Sequence, residues 1–185
     1  MKKNILKGVG IVFVAFVAYA VYGAFFAPKK SPPTTAAFSD RGLDINVSYS
    51  QPSKRGRVIF GEEAAGALQP FGQYWRLGAN AATEITFSKD INFAGQPVNA
   101  GSYRMYAVPG AEAFKITLNS ELGVNFTAAM DADHALDVVS VDIPVQAPPS
   151  EVETFVINFS SDSVGVNMDF VWDKTLIRVP VSVRQ

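Results

Sequence analysis

Residues 73–88 read QYWRLGANAATEITFS, sixteen letters that hold three aromatic side chains, a small-residue loop and one basic and one acidic residue. If residues 74–77 and 83–88 are strands joined by residues 78–82, period-2 alternation puts Trp75, Leu77, Ile85 and Phe87 on one apolar face. Tyr74, Arg76, Glu84 and Thr86 then stand on the other, and a hairpin of this length sets Arg76 directly across from Glu84. Two readings of that polar face are open. In one, Trp75 fills a core and Arg76 and Glu84 form a surface ion pair worth under about 1 kcal/mol. In the other, Tyr74, Arg76 and Asn80 make a polar ligand patch with an aromatic wall.

The same alternation recurs outward from this segment. Residues 43–49 (LDINVSY) alternate without error, with Leu43, Ile45, Val47 and Tyr49 inward. Short strand-like runs follow at 57–60, 91–93, 102–108, 114–119, 138–145, 154–159, 166–172 and 176–183, separated by Gly, Pro, Asp and Ser turn signals. The last two read as a hairpin across Asp173-Lys174-Thr175, and Pro180 marks the final strand as a sheet edge. Short strands at roughly dozen-residue spacing, with almost no helical periodicity after Ala27, predict an all-β domain: an antiparallel β-sandwich, jelly-roll-like or a flattened barrel.

One N-terminal transmembrane helix is expected before it. Residues 8–27 carry no charge in a chain of 185, and twenty helical residues at about 1.5 Å each span roughly the 30 Å hydrocarbon core. Lys2, Lys3 and Lys7 precede the run and Lys29 and Lys30 follow, a slight bias toward a cytoplasmic N-terminus. Ala18-Tyr19-Ala20 also suits a cleaved signal peptide, the competing reading. The expected order is therefore residues 1–7 cytoplasmic, 8–27 in contact with membrane lipid, 28–37 a Pro-rich tether, and 38–185 an extracytoplasmic β-domain.

Composition narrows the chemistry. The net charge is −1 with no basic stripe, so no nucleic-acid partner is expected. The absence of cysteine removes disulfides, lipid-modified cysteine anchors and thiol nucleophiles. The single histidine, His134, lies in Asp131-Ala132-Asp133-His134 with Asp137 following, a cluster read as a solvated loop because the spaced acceptors, glycine and terminal glutamate of a calcium loop are missing. No Gly-x-Ser-x-Gly elbow is present. No cofactor, metal or catalytic residue is expected.

Residues 49–61 (YSQPSKRGRVIFG), 74–90 (YWRLGANAATEITFSKD), the AGSY of 100–103 with its following Pro109, and the strand closed by Asn119 give the domain a resemblance to the bacterial domain of unknown function family 2911. The resemblance implies an exported β-rich protein, and it points to Gly56, Arg57, Trp75, Arg76, Gly78, Ala79, Asn80, Thr83 and Gly101 as defining positions. It implies no reaction. Where the family tends to show Trp-Gly after the Asn119 strand, this chain has Leu122-Gly123. With the anchor, it implies a single-pass protein of the bacterial inner membrane whose C-terminal domain is periplasmic.

The leading expectation is a membrane-anchored, non-catalytic accessory subunit with protein partners in a larger envelope or energy-converting complex. The alternative is a domain binding a glycan or small polar ligand through Arg57, Tyr74, Arg76, Asn80 and Glu84. A hydrolase pairing Glu84 with Glu62 or Glu63 is the third.

Overall fold

A computed structural model describes residues 13–19, 21–22, 30–125, 131–161, 163 and 165–184. The chain divides into two compact units, Met1–Lys30 and Ser31–Gln185. In the first, residues 13–19 and 21–22 are helical and exposed. The rest of the 8–27 segment lies outside the described residues, and among the described residues no helix is long and apolar enough to cross a membrane.

The second unit is all-β and antiparallel apart from one two-residue pairing. Its strands are β1 (Pro33–Asp40), β2 (Leu43–Ser50), β3 (Phe60–Gly61), β4 (Gln69–Pro70), β5 (Thr83–Phe87), β6 (Ile91–Phe93), β7 (Gln96–Val98), β8 (Gly101–Val108), β9 (Ala113–Asn119), β10 (Asp137–Gln146), β11 (Val152–Ser161), β12 (Val166–Asp173) and β13 (Thr175–Val183). The main path runs β1-β2-β5-β8-β9-β10-β13-β12-β11, with β6 and β7 branching from β13 and the parallel pair β3-β4 apart. The two end strands come back together. Phe38 of β1 and Phe159 of β11 approach to 5.9 Å between ring centroids, and beyond β2 the Phe155 amide donates to the Pro52 carbonyl at 2.9 Å. The result is a nearly closed barrel, which hides most of the sheet edge.

Inward side chains from every wall fill the interior. Ile45, Ile85, Met105, Ile116, Met168 and Val179 are all fully buried. Trp75 is 3% exposed and packs on Phe155 at 5.1 Å, Phe60 at 5.2 Å and Trp172 at 5.9 Å between centroids. Burying aromatic rings of this size supplies much of the hydrophobic stabilisation that a cysteine-free chain needs.

Three expectations are corrected. The 74–77/83–88 hairpin does not form, because both sides of β5 are taken, by β2 and by β8. Trp75 instead bridges to Ala107, exchanging both backbone bonds at 2.7 and 2.8 Å. The β-domain begins earlier than Phe38: Pro33, Thr34 and Thr35, read as tether, open β1 and pair with Ser50, Tyr49 and Ser48. A proline is tolerated as the first residue of a strand. Finally, Pro180 is not on an edge strand, since β13 pairs with β12, β10 and β6. Its carbonyl accepts from the Ala94 amide on the β6 side, and an antiparallel residue directs its nitrogen to the same side as its carbonyl. The missing N–H therefore costs β12 nothing.

Candidate functional site

The segment between β4 and β5 carries most of the sequence-predicted residues. Trp75 and Leu77 turn inward, so Tyr74 and Arg76 turn outward. Three backbone features then fold the chain tightly. Leu77 has φ 51° and Asn80 φ 61°, left-handed conformations that are uncommon for side chains other than glycine and cluster at functional loops. Gly78, at φ 156°, passes so close to β2 that a Cβ there meets the Ser50 carbonyl at 2.9 Å. The loop is tied down by Thr83, whose buried hydroxyl donates to the Leu77 carbonyl at 2.7 Å, and by Trp75 Nε1, which donates to the Gly78 carbonyl at 3.3 Å.

Above this scaffold lies a depression of about 240 Å³ lined by Ser31, Arg57, Gln69, Tyr74, Arg76 and Asn80 among others, with Trp75 and Trp172 also lining it. Arg76 donates from Nη1 to the Asn80 carbonyl at 2.6 Å, and Asn80 Nδ2 donates to the Ser31 carbonyl at 3.0 Å. Arg57 is held by its own turn, with Nε on the Lys54 carbonyl at 3.0 Å and Nη2 on the Ser53 carbonyl at 2.7 Å. Partial burial pushes the Arg76 guanidinium below the usual arginine value; Tyr74 opposes that shift and Arg104 adds to it.

Arg57, Tyr74, Arg76 and Asn80 thus converge, and Glu84 does not. Its partner across the ladder is Arg104, not Arg76, and its carboxylate accepts from the Gly123 amide at 2.7 Å. The expected aromatic wall is also revised. The two tryptophans are core residues, which leaves Tyr74 as the half-exposed ring at the rim.

Behind Tyr74 is a buried polar layer on the outer face of β8, β9 and β10. Arg104 is 1% exposed, donates from Nη2 to the Tyr74 hydroxyl at 2.6 Å and from Nη1 to Glu121 at 2.5 Å, and its Nε has no hydrogen-bond partner among the described residues. Burial works against its charge, yet Tyr74 and Glu121 outweigh that and hold it above the usual arginine value. Two residues on, Tyr106 is 2% exposed, and its hydroxyl contacts Asp137 at 2.8 and 2.9 Å and His134 Nδ1 at 2.9 Å. Burial, with the Asp137 carboxylate beside it, pushes that phenol well above its ordinary value.

A bulge makes this possible. Asp137 pairs with Asn119 and Val139 with Leu118, so Val138 is extra and Asp137 faces outward where strict alternation would give it the side of Val139. Asn119 then donates to Asp137 at 2.8 Å and to the Asp133 carbonyl at 2.9 Å. The segment read as a solvated loop is therefore partly engaged: His134 stays 59% exposed, but its ring nitrogens approach Asp137 at 3.1 Å and Asp131 at 3.4 Å, and these carboxylates raise its pKa. Among the described residues no three such groups converge as a metal site.

Arg104, Tyr106 and Asn119 escaped the sequence reading because outward positions of a strand normally face water. The available signal was a tyrosine and an asparagine at outward register and the Asp-rich stretch 131–137 further along the chain, too weak to single them out.

An all-β barrel with a polar, two-arginine depression at one loop and a buried charge network behind it is the class this fold defines. Residues 31–181 match the family model described as Protein of unknown function (DUF2911), and the chain belongs to that family. No curated protein and no solved structure matches the chain.

Proposed function

We propose that the barrel is a non-catalytic binding domain that takes a glycan or other small polar ligand at the Tyr74–Arg76–Asn80 depression. The observation that carries the reading is the convergence of Arg57, Tyr74, Arg76 and Asn80, distant in function from any core role, on one concavity fixed by a strained, hydrogen-bonded loop. Polar groups positioned on a rigid scaffold are what orient a small ligand. A thermal-shift screen of the full-length chain in mild detergent against cell-envelope sugars tests it. At least one sugar is expected to raise the melting temperature, and Asn80→Ala to abolish that rise. A screen in which no sugar acts removes the reading.

A second reading, the accessory subunit of an envelope or energy-converting membrane complex, is favoured by the uncharged run of residues 8–27 and its flanking lysines. In it the run anchors the barrel in the inner membrane and the barrel faces the periplasm. Partners that copurify from native membranes support it, and elution of the chain alone removes it.

A further inference from the structure

We infer that the ligand of this depression carries an oxyanion, a carboxylate or a phosphate, and that Arg76 with Arg57 receives it. The inference rests on the small-ligand reading above and sharpens it.

Among the described residues, the lining contains two guanidinium groups and no aspartate, glutamate or histidine. That imbalance is unusual in this molecule. Arg104 pairs with Glu121, Arg178 with Asp169, Arg184 with Asp90 and Arg41 with Asp40. The Arg178 pair is bidentate, at 2.7 and 2.8 Å. Arg57 and Arg76 are without a carboxylate partner among the described residues, and both line the same concavity.

Burying an arginine has a desolvation cost that a counter-charge ordinarily offsets. Arg76 is half-buried and, among the described residues, has the Asn80 carbonyl, a neutral acceptor, as its hydrogen-bond partner on Nη1. Arg57 spends Nε and Nη2 on two backbone carbonyls. A guanidinium presents five N–H donors, so each keeps donors unused in a fixed fork, the geometry that receives carboxylate and phosphate oxygens. The carbonyl tethers also orient both groups before any ligand arrives, which lowers the entropy lost on binding. Glu121, the carboxylate beside Arg104, is not among the lining residues, so it does not neutralise the depression itself.

Three matched probes test the inference on the full-length chain by calorimetry: glucose, glucuronate and glucose 6-phosphate. The charged probes are expected to bind at least about tenfold more tightly than glucose, with the advantage shrinking as salt rises. The tighter of the two tells carboxylate from phosphate. Arg76→Gln is expected to remove that advantage, and Arg57→Gln to reduce it; retention of the wild-type melting temperature verifies that each variant is folded. Equal or tighter binding of glucose, indifferent to Arg76→Gln, overturns the inference while leaving the small-ligand reading intact. Absence of binding by all three, together with a negative sugar screen, overturns both.

Discussion

Arg104, buried on the outer face of β8, donates to the Tyr74 hydroxyl at 2.6 Å and sets its guanidinium carbon 5.5 Å from the centre of the same ring. The rim residue of the depression is thus held from behind by a charge that solvent does not reach. Rim, scaffold and charge network form one continuous unit.

Replacing Arg104 tests that unit. Arg104→Ala removes two charge-assisted hydrogen bonds, one to the part-buried Tyr74 hydroxyl and one to the half-exposed Glu121. A loss of about 2–3 kcal/mol is expected, below the full cost of orphaning a buried charge because Glu121 regains water. The shift in urea midpoint checks it. A change under about 0.5 kcal/mol contradicts the network's structural role.

Gly78 has a separate, steric role. Its φ of 156° and the 2.9 Å approach of a Cβ to the Ser50 carbonyl make Gly78→Ala costly, by about 1–3 kcal/mol. The obstructing atom is backbone of β2, so no side chain can swing aside. Thermal denaturation measures the loss, and an unchanged midpoint contradicts the tight loop geometry.

The pH dependence of stability follows from His134. Asp137 and Asp131 raise its pKa above the ordinary 6.5, so the folded state binds that proton more tightly than the unfolded chain. Its contribution is whole below the ordinary value and is lost as pH rises through the folded one. The stability difference between wild type and His134→Gln is therefore expected to be larger near about pH 6 than near about pH 9, as read by denaturant titration at both values. A difference that grows with pH contradicts the assignment. Tyr106 acts in the same direction at higher pH, because its raised pKa favours the neutral phenol and its contribution fades only in strong alkali.

How much of this was readable from the chain depended on whether the cause was local. The alternation of Leu43, Ile45, Val47 and Tyr49 lies within one strand, and β2 follows it to the residue. The β12–β13 hairpin is likewise encoded by its own turn, with Trp172 opposite Thr175. Residues 74–77 misled because alternation also describes a segment that makes only one bridge, and what occupies the flanks of β5 comes from β2 and β8, far away in sequence. The gathering of Arg57 with Arg76 at one depression had no local cause either, since the two lie on separate segments of the chain. Glu84 failed by register: its neighbour is Arg104, and no periodicity within residues 73–88 reports a partner twenty residues downstream.

The most direct test of the proposed oxyanion site is an NMR titration of the full-length chain with glucuronate and glucose 6-phosphate, following the Arg57 and Arg76 Nε–H, the Asn80 side-chain amide and the Trp75 indole N–H. Saturable shifts confined to these groups and their loop neighbours are the predicted result. Shifts centred elsewhere on the barrel, or none at saturating ligand, contradict the account.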